Sequence, residues 1–248
     1  MDVSAYVLLS HEQALRRRLD VVANNMANVS TTGFRREQPV FGELVRQTEG
    51  QMAPEAKPVS FVLDYGAVHD TRAGAFQATG NSLDVMIEGL GYLPVAMPDG
   101  STAYTRAGNL KVLDNGQLAI ASGQPVRGEG GAPITIPADQ QGRVSILSDG
   151  TVNGPEGALG RIAVTAFDDE SQVRPIGDNL MSGTAGRELA AEETKLRSGG
   201  LEGSNVQPIV ETTQMVEILR SYQTSQRMSD SLGDMRRNAI GRLGRLGN

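Results

Sequence analysis

The 248-residue chain is long enough for one large domain or two modest ones with a real hydrophobic core. An apolar content of 39%, only 4% aromatics and 30 glycines describe many turns around a lean core rather than a bulky enzyme interior. A net charge of −6 argues against nucleic acid as the main partner, and the lack of cysteine removes disulfides, thiolate zinc sites and thiol nucleophiles.

The first thirty or so residues read as one long helix. Ala5, Leu8, Leu15, Leu19, Val22, Met26 and Val29 recur at steps of three and four, with Glu12 the one polar interruption. That spacing makes a narrow stripe of the kind a coiled coil uses as its seam. Arg16 and Arg18 flank the stripe and Arg17 points away from it. Ser10 with Gln13 resembles a capping box, which leaves a later start open. Thr31-Thr32-Gly33 supplies the stop. Residues 34–69 hold Pro39, Pro54 and Pro58 and are expected to form an extended or irregular connector.

From about residue 70 to 197 the pattern changes to short alternating runs. Strands are expected around Leu83–Ile87, Leu93–Met97, Ala103–Thr105, Ile134–Ile136, Val144–Leu147 and Ile162–Phe167. Val112-Leu113 and Leu118–Ile120 flank Asp114-Asn115-Gly116, a hairpin signal, and Pro98-Asp99-Gly100 and Asp149-Gly150 read as turns. There is no convincing internal repeat. In the last stretch Asn205 can cap, Pro208 suits a first helical turn and Glu211 suits the positive end of the dipole. Met215, Ile218, Tyr222, Ser225, Ser229, Leu232, Arg236, Ala239, Leu243 and Leu246 then follow the three-four rhythm, weakened by two serines and an arginine.

The expected fold class is α+β: a discontinuous, coiled-coil-like helical domain from both termini (1–33 and 198–248), the connector 34–69, and a central all-β domain (70–197). Neither stripe can bury itself alone, so each needs the other or a neighbouring subunit.

Four stretches resemble a known family. Leu19-Asp20-Val21-Val22-Ala23-Asn24-Asn25-Met26-Ala27-Asn28, followed by Thr31-Thr32-Gly33-Phe34, is similar to the N-terminal signature of bacterial flagellar rod and hook proteins. So are Thr79–Val85 with Gly89-Leu90-Gly91-Tyr92, Tyr104–Leu110 with Asp114–Leu118, and Gly200-Leu201-Glu202-Gly203-Ser204-Asn205-Val206. They occur in the family's order and cover the chain from end to end. Leu90, Tyr92 and Met26 depart from its commoner residues. The length and the Leu15–Asp20 opening look most like a proximal rod subunit, with the distal rod subunit next.

The resemblance implies a structural subunit of the flagellar basal-body rod, a helical inner domain with an outer β-rich domain, and self-assembly with other rod subunits. It also implies the surrounding rings and the type III export apparatus as partners, a periplasmic location, and no cofactor. A cleaved signal peptide is then unnecessary, and none is legible at the N-terminus; no apolar run reaches the roughly 18 residues of a membrane span. The expected assembly residues are Leu8, Leu15, Leu19, Val22, Asn24, Asn25, Met26, Asn28, Met215, Ile218, Tyr222, Leu232 and Leu243. Two readings stand for the asparagines: their amides bond neighbouring helices and fix register, or they are solvated at a frayed helix end.

Enzymatic signals are weak. His11 and His69 are the only histidines and lack metal-ligand spacing. Asp168-Asp169 and Glu192-Glu193 read as solvated charge, Gly89-Leu90-Gly91 as a turn rather than a phosphate loop, and Arg16–Arg18 as a solvated or ion-paired face. No catalytic, cofactor or metal residue is assigned. The competing class is a secreted β-domain hydrolase or carbohydrate-binding protein, which offers no reason for paired terminal stripes.

Overall fold

A computed structural model describes residues 3–46, 59–168 and 173–243. The chain forms two compact units, one from residues 1–27, 37–68 and 207–248, the other from 28–36 and 69–206. It is an α+β protein with a helix near each terminus and a strand-rich centre.

The first unit contains α1 (Val3–Ala27), β1 (Glu37–Arg46), β2 (Val59–His69, whose last residue belongs to the other unit) and α2 (Pro208–Leu243). α1 starts at Val3, not at the capping-box serine; Ser10 instead donates its hydroxyl to Val7 O. It ends after Ala27, two residues short of the expected Val29, where Thr31 N bonds Asn28 O in a turn. Asn, Ser and Thr compete with helical bonding through their own side chains, and they crowd this stretch. Of the two expectations for 34–69, extended or irregular, the described part is extended: β1 and β2 pair as a two-stranded ribbon, and residues 47–58, with Pro54 and Pro58, lie outside the described residues. Proline is tolerated at the edges of so narrow a sheet, so Pro39 does not forbid a strand. Across the ribbon, the Tyr65 ring lies where a Cβ on Gly42 would stand, so a glycine is what lets the ring cover β1.

The second unit runs through β3 (Phe76–Ala78), β4 (Val85–Ile87), β5 (Leu93–Ala96), β6 (Thr102–Thr105), β7 (Leu110–Val112), β8 (Leu118–Ile120), β9 (Ser145–Ile146), β10 (Thr151–Gly154), β11 (Gly157–Arg161), β12 (Thr165–Ala166), β13 (Arg174–Gly177), β14 (Leu180–Ser182), β15 (Arg187–Glu188), β16 (Leu196–Ser198) and β17 (Gly200–Glu202). The largest sheet has the order β13-β14-β6-β5; β11-β10-β9 form another, and the remaining strands pair two by two. Ile134–Ile136 contributes only an isolated bridge, through Thr135 to Gln117, but both isoleucines are buried in the core. β17 extends the body past the expected boundary at 197, so residues 198–206 belong here and not to the C-terminal helix.

One turn recurs. At Met97–Ser101, Leu113–Gln117, Ile120–Gln124 and Leu147–Thr151 the fourth residue is a glycine whose N–H donates back to the first residue's carbonyl. Its φ lies between +81° and +100° at all four places, a conformation that costs glycine little. In three of them an Asp or Asn, at 99, 115 and 149, accepts from the N–H two residues on.

The family-like stretches meet in the body. Gly33, at φ +68°, sits with its Cβ position 2.6 Å from the Arg106 carbonyl group and donates to Glu202 O at 2.7 Å. Arg106 and Glu202 form an ion pair at 3.3 Å with both side chains buried, and the guanidinium also donates to Ile87 O and Gly89 O. Glu202 accepts in addition from Gly74 N. Both Arg106 and Arg35 lie near the face of Tyr92, whose ring meets Phe167 edge-on. Asp84 is bound by Thr79 Oγ1 and Asn81 Nδ2, which closes the Thr79–Val85 loop on itself. Asn205 does not cap α2: its Oδ1 accepts from Arg36 N while its Nδ2 donates to Asp70 O and Arg72 O.

Arg106→Leu, which strands Glu202 in the interior, is expected to lower body stability by about 3–5 kcal/mol. The double variant R106L/E202M, read by urea denaturation, should recover more than half of that loss; no recovery would show that the pair is not the cause. The Asp149 carboxyl is held below its usual range first by the Thr151 N–H and then by the Thr151 hydroxyl. A depressed folded-state value stabilises above the unfolded value and ceases to do so as pH falls through the folded one. Asp149→Asn should therefore flatten the acid limb of a stability–pH curve without altering its neutral plateau's slope.

Candidate assembly surface

The site is built where α1 and α2 pack in the first unit. Leu15 and Val22 of α1 and Ile218 of α2 are buried together, with Leu19, Met215 and Tyr222 half-buried against them. Two hydrogen bonds fix the register. Asn25 Nδ2 donates to Glu211 Oε2 at 3.3 Å, and Ser225 Oγ donates to Glu12 Oε1 at 3.3 Å. Thirteen residues forward along α1 thus correspond to fourteen backward along α2, so the helices are antiparallel. Two of the apparent flaws in the stripes, Glu12 and Ser225, face each other and satisfy one another.

Asn25 is fully buried and does more. Its Oδ1 accepts from Glu37 N at 2.8 Å and its Nδ2 donates to Glu37 O at 2.9 Å, so the carboxamide pairs with a peptide unit as a strand neighbour would. Glu211, the residue read only as favouring the helix dipole, is fully buried beside it. One side chain joins the end of α1, the start of β1 and the first turn of α2.

The other expected residues divide. Leu8, Met26 and Leu232 are half-buried, and Asn24 is exposed. Asn28 stands outside the helix, its Oδ1 accepting from Thr31 Oγ1 in the turn that follows. Leu243 is the last described position of α2, its side chain lying outside the description, and Leu246 lies outside the described residues. Reading by stripe missed Val21, which is buried on the flank of α1 beside Asn25, where α1 also packs on β1. Of the three arginines it is Arg17 that finds a carboxylate, Asp64 of β2 at 3.3 Å.

No cluster of three or more His, Cys, Asp or Glu side chains placed to hold a metal occurs among the described residues. Glu193 is spent on exposed Arg187, as a solvated pair would be. Among the described residues no helix is long and apolar enough to cross a membrane.

Three family models match, in the order of the chain. "Flagella basal body rod protein" covers residues 6–35, "Flagellar hook protein FlgE/F/G D1 domain" covers 86–154, and "Flagellar basal body rod FlgEFG protein C-terminal" covers 197–242. A flagellar basal-body rod protein FlgF of Caulobacter vibrioides is 36% identical over 99% of this chain and 100% of its own. The chain belongs to the flagellar basal-body rod protein family. A FlgG of Bacillus subtilis is 35% identical over 91% of the chain and 93% of its own, and a FlgF of Mesorhizobium japonicum 31% over 98% and 99%. The rod subunit is thus a structural, non-enzymatic component of the flagellar basal body that assembles with other rod proteins.

The model matches to residues 6–35 and 197–242 include the α1/α2 seam and its register bonds. Asn25→Leu keeps the volume but strands both backbone groups of Glu37 in the interior. It is expected to cost the helical unit about 2–4 kcal/mol, from the buried N–H and C=O of Glu37 left unpaired. Amide exchange at Glu37 should rise at least a hundredfold; unchanged protection there would show that the carboxamide is dispensable.

Proposed function

We propose that the rod subunit is of the FlgF, proximal type and polymerises through its terminal helices into the drive shaft that carries motor torque. The FlgF relative aligns with essentially all of both chains, whereas the FlgG relatives leave about a tenth of this chain unmatched. The two terminal segments act as one discontinuous, coiled-coil-like helical domain, and the β body contributes contacts to neighbouring bodies and the surrounding rings. Export through the flagellar type III apparatus delivers the chain to the rod in the periplasm.

One observation carries this reading. After α1 and α2 have packed on each other, large apolar side chains remain exposed along both: Tyr6 and Leu9 on α1, and Ile209, Val216, Leu219, Met228 and Met235 on α2. A helix pair in isolation gains nothing from such positions, and contiguous ones mark surfaces that are covered by partners. Thin seams interrupted by Glu12, Ser225 and Ser229 leave the helices only marginally stable, so docking onto a growing rod supplies the ordering energy.

Val22→Asp places a charge in the seam of the helical unit. It should abolish motility and remove the chain from purified basal bodies, while the thermal transition of the body stays within about 2 °C of the parent. A body transition that falls by 10 °C or more would mean that the helices and the β body share one cooperative core.

A further inference from the structure

The helix pair carries two unused features on different flanks of α2. The first is a ridge. Ile209 is 82% exposed, Val216 44% and Leu219 40%, and together they form one line on the outer side of the helix. Thr212 and Thr213 lie on or beside this line, and both turn their hydroxyls back to the carbonyls of Pro208 and Ile209. Back-bonded threonines spend their polar atoms on the helix and present methyl groups outward, so the ridge is apolar without a break.

The second feature is a groove of about 480 Å³ along the seam, lined by Leu8 and His11 of α1 and by Arg220, Ser221, Thr224, Ser225 and Met228 of α2. Its floor lies where the small side chains Ser221, Thr224 and Ser225 of α2 come opposite α1, between the larger Arg220 and Met228. Thr224 also turns its hydroxyl back, to Arg220 O, and leaves a methyl in the groove. At 3.6 residues per turn, Ser221, Thr224 and Met228 point on average about a third of a turn away from Val216 and nearly half a turn away from Leu219. Ridge and groove therefore face different directions on one molecule and cannot satisfy each other within it.

We propose that the groove receives the Val216–Leu219 ridge of a second copy of this chain. This inference rests on the rod reading above and names the contact by which like subunits would join. Three features select this occupant. The ridge offers branched aliphatic knobs, and the groove offers a hole floored by serines and walled by Leu8 and Met228. Glu217, exposed beside Val216, would be carried toward the guanidinium of Arg220 at the groove's rim. The area is decisive between a pair and a row. A contact limited to Val216, Leu219 and the groove lining is small beside the ~1,200 Å² total of a stable interface, so one contact holds no dimer in solution. A heterologous contact repeats without closing, and gains strength only when neighbouring copies and sibling rod proteins add theirs.

The chain has no cysteine, so introduced thiols report without background. The double variant V216C/T224C is expressed as the sole copy, and basal bodies are purified and treated with a short bismaleimide. The expected result is a ladder of dimers, trimers and higher multimers of this chain alone, because each copy offers both partners of the contact. V216C by itself should give less than a tenth of that crosslinking. Should the double variant fail to assemble, the two single variants are co-expressed. The mixed V216C–T224C dimer is then expected in excess of either homodimer. Basal bodies that contain the chain but show no 216–224 crosslink overturn the ridge-and-groove contact and leave the rod reading standing. A crosslink that runs only to a different rod protein also overturns it, since the occupant is then not a second copy. Absence of the unaltered chain from basal bodies overturns the rod reading and this contact with it.

Discussion

The arrangement of the helical unit depends on one buried carboxamide. The chain leaves this unit after Ala27, passes through nine residues of the body, and returns at Glu37. Asn25 binds both backbone groups of Glu37 and reaches the carboxylate of Glu211, four residues after the chain enters the unit for the last time. A polar group in a dry interior is costly unless satisfied, and that cost makes the site selective. Only one placement of α1, β1 and α2 meets the demands of all three at once. Asn205 does the same work inside the body, where it holds Arg36, Asp70 and Arg72 close to the points at which the chain leaves and re-enters. A chain that crosses repeatedly between two units has long excursions to close, and each unit closes its own side with an asparagine.

Polar interruptions at the seam follow a similar logic. A seam of leucines alone would be stickier but would accept several registers and several partners. Opposing Glu12 to Ser225 costs apolar area and rewards a single alignment of the helices. The same economy of side-chain volume leaves room beside Leu8, which is where the groove lies. Specificity within the chain and an opening toward neighbours arise from the same small residues.

The body is held by different means. Its core is aliphatic and lean, and its short strands give little sheet area. Closely similar glycine turns and a buried Arg106–Glu202 pair compensate, by fixing where the chain reverses and where distant segments meet. A buried ion pair adds little net stability but is expensive to separate, so it serves to specify which segments meet.

The sequence by itself determined the class of fold, the two helices and several of the body's strands, because period and turn chemistry are local. Apolar residues at steps of three and four leave no other regular structure for 3–27 and 208–243, and Asp-Gly or Asn-Gly between apolar runs forces a reversal. The family resemblance was legible for the same reason: its words are contiguous. Only the tertiary structure decided what those words do. Asn25 and Glu211 are 186 positions apart, Arg106 and Glu202 are 96 apart, and nothing local in either segment marks its partner. The stripe named Val22 but missed Val21, because a second packing partner, β1, lies on another side of α1. The pairing of β1 with β2 was hidden in part by Pro39, since a two-stranded sheet consists of edges and edges accept proline. Local periodicity announces which face is apolar; only the folded chain, by filling some faces and leaving others open, decides which remain for a partner.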